Sequence, residues 1–370
     1  MATEFFHALL STTWQQLVML GIGGLLIYLA IKKMYEPSLL LPIGFGAILA
    51  NIPFSTAVGE GGILTLLYNA GITTELFPLL IFIAIGAMID FSPLFKYPSL
   101  LLFGAAAQLG IFLTIIVAVL IGFDLREAAS IGIIGAADGP TSIFVAAKFA
   151  PKLLGPISVA AYSYMALVPI IQPPVIKLLT TKKERLIRME SNSKSVSKQA
   201  LILFPIIVTI VAGIVAPSAV ALIGFLMFGN LVRESGVLNK LSLAAQNELA
   251  SLVTLLLGIS IAFTMTADKF LTPSTLMILG LGMCAFVFDT AGGVLFAKLM
   301  NLFLKRKINP MIGAAGISAF PMSARVIHKM GLEEDKTNYL LMHAVSANVA
   351  GQIGSVIAAG LLLSLVPLFH

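Results

Sequence analysis

Twelve apolar stretches of 14 to 31 residues, separated by short polar turns, run through this chain of 370 residues. In hydrocarbon every backbone N–H and C=O needs an internal partner, which leaves α-helices for runs of this kind. The expectation is an all-α polytopic membrane protein. With 58% hydrophobic and 11% charged residues, the chain lies far from an ordinary soluble mixture. Its one cysteine, Cys284, excludes an intrachain disulfide framework and a thiolate metal cluster, and His7, His328, His343 and His370 are too scattered for a metal site. The net charge of +6 comes from basic residues that flank apolar spans and form no basic face, so no nucleic-acid reading survives. The N-terminus, residues 1–14, lacks the basic start and small-residue cleavage site of a signal peptide, so the first span is expected to stay in the mature protein.

The expected spans are 17–31, 38–54, 76–89, 99–122, 128–150 and 153–179, then 200–216, 219–232, 249–265, 272–302, 309–327 and 339–369. A basic linker, 181–199, separates six elements from six. The halves share ordered matches. Gly44-Phe45-Gly46 parallels Gly224-Phe225, Gly86 parallels Gly258, and Gly135-Ala136-Ala137 parallels Gly313-Ala314-Ala315, at offsets of 180, 172 and 178. Near-constant offsets point to an internal repeat, 1–180 and 200–370.

Charge sets the topology. Were all twelve elements to cross, Lys32-Lys33 and the linker would lie on opposite faces, against the excess of Lys and Arg in cytoplasmic loops. The conflict disappears if 128–150 and 309–327 are re-entrant hairpins. Lys32, Lys33, Lys96, the 181–199 cluster (including Lys194), Arg233, Lys298, Lys305, Arg306, Lys307 and Arg325 then fall inside, and Arg126, Lys148, Lys152 and Lys269 outside. Five crossings per half make the second repeat inverted, giving about ten transmembrane helices and two hairpins that meet near the midplane.

The first hairpin carries Asp138, Thr141 and Ser142 around the helix-breaking Gly139-Pro140. An isolated acid at bilayer depth costs at least about 2.5 kcal/mol, which marks Asp138 as functional, although a helix cap is the plainer role. The second hairpin, from Asn309-Pro310 through Phe320 to Arg325, supplies amide and hydroxyl oxygens without a carboxylate. One negative charge with several neutral oxygens suits sodium better than calcium or magnesium. Arg325 is placed to hold a carboxylate in a bidentate fork, or serves as a cytoplasmic anchor. Asn309 and Ser318 also suit interhelical hydrogen bonds, and Gly313 suits close packing. Asp289 is a second deep acid, for a proton route, a second cation or a structural pairing, and Asn348 and Gln352 either line the cavity or pack helices.

Gly135-Ala136-Ala137-Asp138-Gly139-Pro140-Thr141, Tyr164, and Asn309-Pro310 with Gly313, Ser318 and Arg325 together resemble the beta subunit of the sodium-pumping biotin-dependent decarboxylases. That family acts on oxaloacetate, methylmalonyl-CoA or glutaconyl-CoA, and the resemblance covers nearly the whole chain. The chain is shorter than expected of the oxaloacetate branch, which favours an acyl-CoA branch. The resemblance implies a translocase-class enzyme subunit of a bacterial inner membrane that takes carboxybiotin from a partner on the cytoplasmic side. Release of carbon dioxide would be coupled to sodium export, with a proton consumed. It implies sodium at Asp138, Asn309, Gly313 and Ser318, and carboxybiotin at Arg325, Asn309 and Tyr164. Catalytic roles fall to Arg325, Tyr164, Ser318 and Asp138, with the proton delivered by Tyr164 or by a water held at Ser318 or Asp138. The implied partners are a carboxyltransferase alpha subunit, a biotin carrier and a small gamma or delta membrane subunit, and the architecture suggests a homo-oligomer. A self-sufficient sodium-coupled carboxylate transporter is the competing reading. A purely structural anchor conflicts with so many deep polar residues.

Overall fold

The computed structural model describes residues 11–189, 195–215, 217–319 and 321–369. His7, Lys194, Ala216, Phe320 and His370 lie outside the described residues. Helices α1 (Trp14–Lys33), α2 (Pro37–Asn51), α3 (Leu76–Met88), α4 (Leu101–Ala106), α5 (Leu109–Ile121), α6 (Leu125–Gly132), α7 (Gly139–Phe149) and α8 (Leu154–Leu179) precede the linker. Helices α9 (Lys198–Val215), α10 (Val220–Ser235), α11 (Ala250–Ile261), α12 (Pro273–Phe303), α13 (Met311–Ala314), α14 (Met322–Glu334) and α15 (Leu341–Leu365) follow it. No strand occurs among the described residues.

Six helical runs are long and apolar enough to cross a membrane, and the pair Ile63–Thr73 and Leu76–Met88, bent by 59°, makes a seventh. The expectation of about ten is therefore met by length only in part. Apolar α2 has 15 residues and rises about 22 Å, short of a hydrocarbon core of about 30 Å. The expected single span 99–122 is divided at Ala107-Gln108 between α4 and α5. Two π-helical turns precede α3 and α11, Tyr68–Thr73 and Ala245–Leu249, for which the sequence carried no signal.

The helices form two groups. In one, α1 packs on α2, α2 on α11, α11 on α3, α3 on α10 and α10 on α9. In the other, α12 contacts α5, α8 and α13, while α15 contacts α4 and α14. Each half of the chain contributes to both groups, so the halves interlock. Buried asparagines fasten the first group. Asn51 donates to the carbonyls of Ala47 and Met265 at 2.8 Å each and accepts from the Ala267 N–H at 2.8 Å. Asn230 donates to the Ile89 carbonyl at 2.9 Å. Each amide thus satisfies carbonyls at the end of a helix from the opposite half, groups that a helix leaves unpaired.

Lys298 pairs with Glu184 of the linker at 3.2 Å, and Arg306 and Lys307 share a cavity with the linker's Arg188, while Lys148 pairs with Glu75 at 3.0 Å and Lys152 and Lys269 line a second cavity. The linker is tied down. Thr181 caps the short helix Lys182–Arg185, Arg185 Nε donates to Glu334 Oε1 at 2.5 Å, and Arg188 Nη2 donates to Asp335 Oδ2 at 2.6 Å. The backbone N–H and hydroxyl of Thr337, together with Arg188, hold the Asp335 carboxyl below its ordinary pKa. Arg185 and Glu334 are 13% and 15% exposed, so their bond is shielded, unlike an open surface pair. Arg185→Ala is expected to cost about 2 kcal/mol and to raise the rate of proteolytic cleavage in the linker. Unchanged cleavage kinetics and an unchanged unfolding midpoint would remove this clasp from the account.

Candidate functional site

The two broken stretches meet. The first runs from α6 through a 3-10 turn, Ile133–Ala136, to Ala137 in the left-handed region (φ 52°) and extended Asp138 (φ −122°), and Gly139-Pro140 then opens α7. Proline suits a first helical turn because its missing N–H has no partner there. The second runs from α13 through a turn into α14, and the Ser318 N–H donates to the Ala136 carbonyl at 2.9 Å. One hydrogen bond therefore joins unwound backbone to unwound backbone, deep in protein, as exposure to lipid would forbid.

Asp138 sits at that junction, 3% exposed, as the N-cap of α7. Its Oδ2 accepts from Thr141 Oγ1 at 2.6 Å, Ser355 Oγ at 2.8 Å and Gln352 Nε2 at 2.9 Å. Among the described residues its Oδ1 accepts only a long bond, 3.4 Å, from the Thr141 N–H. The donors together with the positive end of α7 suit a carboxylate acceptor, and Oδ1 retains lone pairs for a cation. Ser142 Oγ donates to the Asp138 carbonyl at 2.8 Å, which holds the turn.

Asn348 lies on α15 one turn before Gln352. Its Nδ2 donates to the Ile317 and Ala315 carbonyls at 2.6 and 3.2 Å, while its buried Oδ1 has no partner among the described residues. Ser318 Oγ donates to the Gly351 carbonyl at 2.8 Å. Asp138, Ser318 and Gln352 line one cavity of about 320 Å³ with Tyr162, Glu36 and Gln246.

The other expected site residues stand apart in this arrangement. Asn309 Nδ2 donates to the linker carbonyls of Arg185 and Ile187 at 2.8 and 2.9 Å, so it fastens the linker to the start of the second hairpin. Gly313 faces Gly293, and a Cβ built on it would lie 1.9 Å from the Gly293 carbonyl oxygen, a close-packing contact of α13 on α12. The Tyr164 hydroxyl donates to the Leu279 carbonyl, and its ring packs over Gly282, away from Asp138. Arg325 is exposed in the first turn of α14, and its guanidinium has no hydrogen bond or ion pair among the described residues. The four residues expected around sodium thus divide, Asp138 and Ser318 lining the cavity and Asn309 and Gly313 elsewhere. Asn309 precedes α13 and bonds the linker, whereas Gly313 lies within α13 against α12, so closeness in sequence does not bring them to one site.

Asp289 is fully buried on α12, where its Oδ1 accepts from the Ile111 N–H at 3.2 Å and so caps α5 at the break after Gln108. Its Oδ2 has no partner among the described residues and abuts Gly135. Of the alternatives for Asp289, the pairing with backbone is the one visible in the structure.

Three residues went unnoticed in the sequence. Ser355 extends Asn348 and Gln352 to an i, i+4, i+7 stripe on one face of α15, a readable signal in apolar surroundings. Tyr162, two residues before Tyr164, is the tyrosine that reaches Asp138's turn, and a Cβ on Gly139 would fall 2.1 Å from its ring. Gln172 Nε2 donates to the Ala314 carbonyl at 2.9 Å and Oε1 accepts from Ser323 at 3.0 Å, bracing the second hairpin, without any motif to announce it.

Comparison with known proteins places these residues in a family context. The family described as "Na+-transporting oxaloacetate decarboxylase beta subunit" matches residues 15–366. The chain is 52% identical to the glutaconyl-CoA decarboxylase subunit beta of Acidaminococcus fermentans, over 96% of this chain and 94% of that one. It is 51% identical to the methylmalonyl-CoA decarboxylase subunit beta of Veillonella parvula, over 96% and 95%. It is 48% identical to the oxaloacetate decarboxylase beta chain of Klebsiella pneumoniae, over 95% of each.

Proposed function

The chain belongs to the family of Na+-transporting oxaloacetate decarboxylase beta subunits, and on that premise we propose that it decarboxylates carboxybiotin presented by a partner and exports sodium, consuming a proton. The observation that carries the coupling is the placement of Asp138 where the two unwound segments join through Ser318 and Ala136. A cation bound there touches both segments, and by binding two arrangements unequally it biases their balance. The residues present suit sodium, because Asp138 Oδ1 keeps lone pairs to spare and the oxygens of Ser318 and Gln352 line the same cavity. Three donors hold Asp138 Oδ2, so Oδ1 faces the incoming ion without rotating.

Carboxybiotin supplies the carboxylate that is lost as carbon dioxide. Arg325, exposed and without a partner among the described residues, is the guanidinium free to take a carboxylate. Asn309 and Tyr164 are family site positions that act here through the linker and α12, by setting the hairpin and α8 in place. The proton route runs through the cavity by way of a water held at Ser318 or Asp138, since the Tyr164 hydroxyl donates to the Leu279 carbonyl.

The inverted-repeat reading, with ten crossings and two hairpins, is supported by three parallels. Asn51 and Asn230 clasp opposite helix ends, a π turn precedes both α3 and α11, and broken stretches follow in both halves. Two helix groups that meet at the cavity suit a sliding of one past the other. Carboxyltransferase, biotin carrier and small membrane subunits complete the proposed complex in a bacterial inner membrane, with an acyl-CoA substrate and a homo-oligomeric arrangement.

Avidin capture from gently solubilised native membranes is expected to recover the chain while a biotinylated protein is attached, and to lose it once the complex is dissociated. Failure of capture under conditions that keep other complexes intact, joined to sodium-driven carboxylate uptake by the purified chain alone, would instead select the secondary transporter.

A further inference from the structure

We propose that Glu36, with the Tyr162 hydroxyl, forms an outer subsite for a monovalent cation at the mouth of the cavity that ends at Asp138. This rests on reading Asp138 as the sodium site. The cavity runs between helices of the two groups. Its lining includes intermediate Glu36, exposed Ser38 and Met88, and buried Asp138, Ser318 and Gln352. Two carboxylates and no basic side chain line it, in a chain whose net charge is +6. A cleft of one sign with low-dielectric walls concentrates counter-ions, here cations.

Glu36 has an uncommon backbone conformation. It sits in the left-handed region (φ 36°, ψ 61°), which disfavours a side chain such as glutamate and suits glycine or asparagine. Its carbonyl begins α2 by accepting from Leu39 and Leu40 at 3.0 Å each, but its carboxylate makes no capping bond. Nor does that carboxylate form an ion pair among the described residues, although Lys32 and Lys33 stand nearby in the chain. The backbone of Glu36 thus serves the start of α2, and its carboxylate is left without a hydrogen bond or ion pair among the described residues. Burial raises the Glu36 carboxyl above its ordinary pKa, and a cation bound beside it would oppose that shift.

Tyr162 is an independent second observation. It is 5% exposed and lines the same cavity, and its hydroxyl has no hydrogen-bond partner among the described residues. Buried hydroxyls are ordinarily paired, so its oxygen is available to an ion between Glu36 and Asp138. The wall between the acids adds oxygens from Gln246, Ser251 and Thr254. Gln246 lies in the π turn Ala245–Leu249, a distortion that recurs at functional sites.

The test is a sodium titration of carboxyl loss from the carboxylated biotin carrier, using the assembled complex at fixed ionic strength. Glu36→Gln is expected to raise the half-saturating sodium concentration about threefold to tenfold, with most of the change in half-saturation and little in the saturated rate. The shift should grow as ionic strength is lowered. Glu36→Asn removes the charge while suiting the left-handed backbone, so it should assemble and show the same shift. If both variants assemble and titrate as the parent does, the outer subsite is overturned. If the parent complex itself shows no sodium dependence, the reading of Asp138 fails and this proposal falls with it.

Discussion

Asp138→Asn is expected to lower sodium-stimulated decarboxylation by the assembled complex at least about 100-fold, or about 2.8 kcal/mol, and to abolish uptake of radiolabelled sodium into vesicles. The cause is twofold. The amide removes the only charge at the junction, where a cation has neutral oxygens for its other neighbours. It also places an NH2 or a carbonyl where Oδ2 now accepts from Thr141, Ser355 and Gln352. One orientation opposes three donors, and the other turns donors toward the ion. Ser355→Ala and Gln352→Leu remove one donor each and are expected to raise half-saturating sodium by about threefold to tenfold, in line with about 1 kcal/mol per hydrogen bond. Sodium activation of the Asn variant within tenfold of the parent would remove Asp138 from the ion path.

Gly313 offers the second large effect, of a different kind. Gly313→Leu is expected to yield no assembled protein, because its Cβ would fall 1.9 Å from the Gly293 carbonyl oxygen and the branched side chain beyond it would force α13 from α12 much further than the lone methyl of alanine does. Gly313→Ala should assemble in part, at a cost of about 1–3 kcal/mol from overpacking, seen as a lower unfolding midpoint in detergent. Half-saturating sodium in the alanine variant should stay within twofold of the parent, since Gly313 lies on the α12 contact and not on the cavity. A shift in sodium affinity without a change in the midpoint would return Gly313 to the ion site.

These two residues show what a linear motif conveys by itself and what it leaves to packing. Asp138 was legible because a lone acid beside Gly139-Pro140 in an apolar run is both costly and helix-breaking, and either property survives any packing. Gly313 was legible only as a small residue, and small residues serve packing and backbone ligation alike. Asn309 and Tyr164 look equally chemical in the sequence, yet one bonds the linker at Arg185 and Ile187 and the other bonds Leu279. Conversely, Tyr162 and Gln172 carry no local mark, because what distinguishes them is a partner more than a hundred residues away or the want of one.

By itself the sequence determined the all-helical membrane class, the two breaks and the acid at the first of them. Each follows from local physical chemistry: the cost of charge in hydrocarbon, the missing donor of proline, and the length of apolar runs. Tertiary structure alone decided which oxygen of Asp138 is occupied, that Ser318 joins Ala136, that Asp289 caps α5, and that Glu36 shares a cavity with Asp138. Those outcomes depend on how helices of opposite halves cross. Close backbone approach at glycines and the few unpaired carbonyls at helix ends choose that crossing, and neither has a period that can be read along the chain.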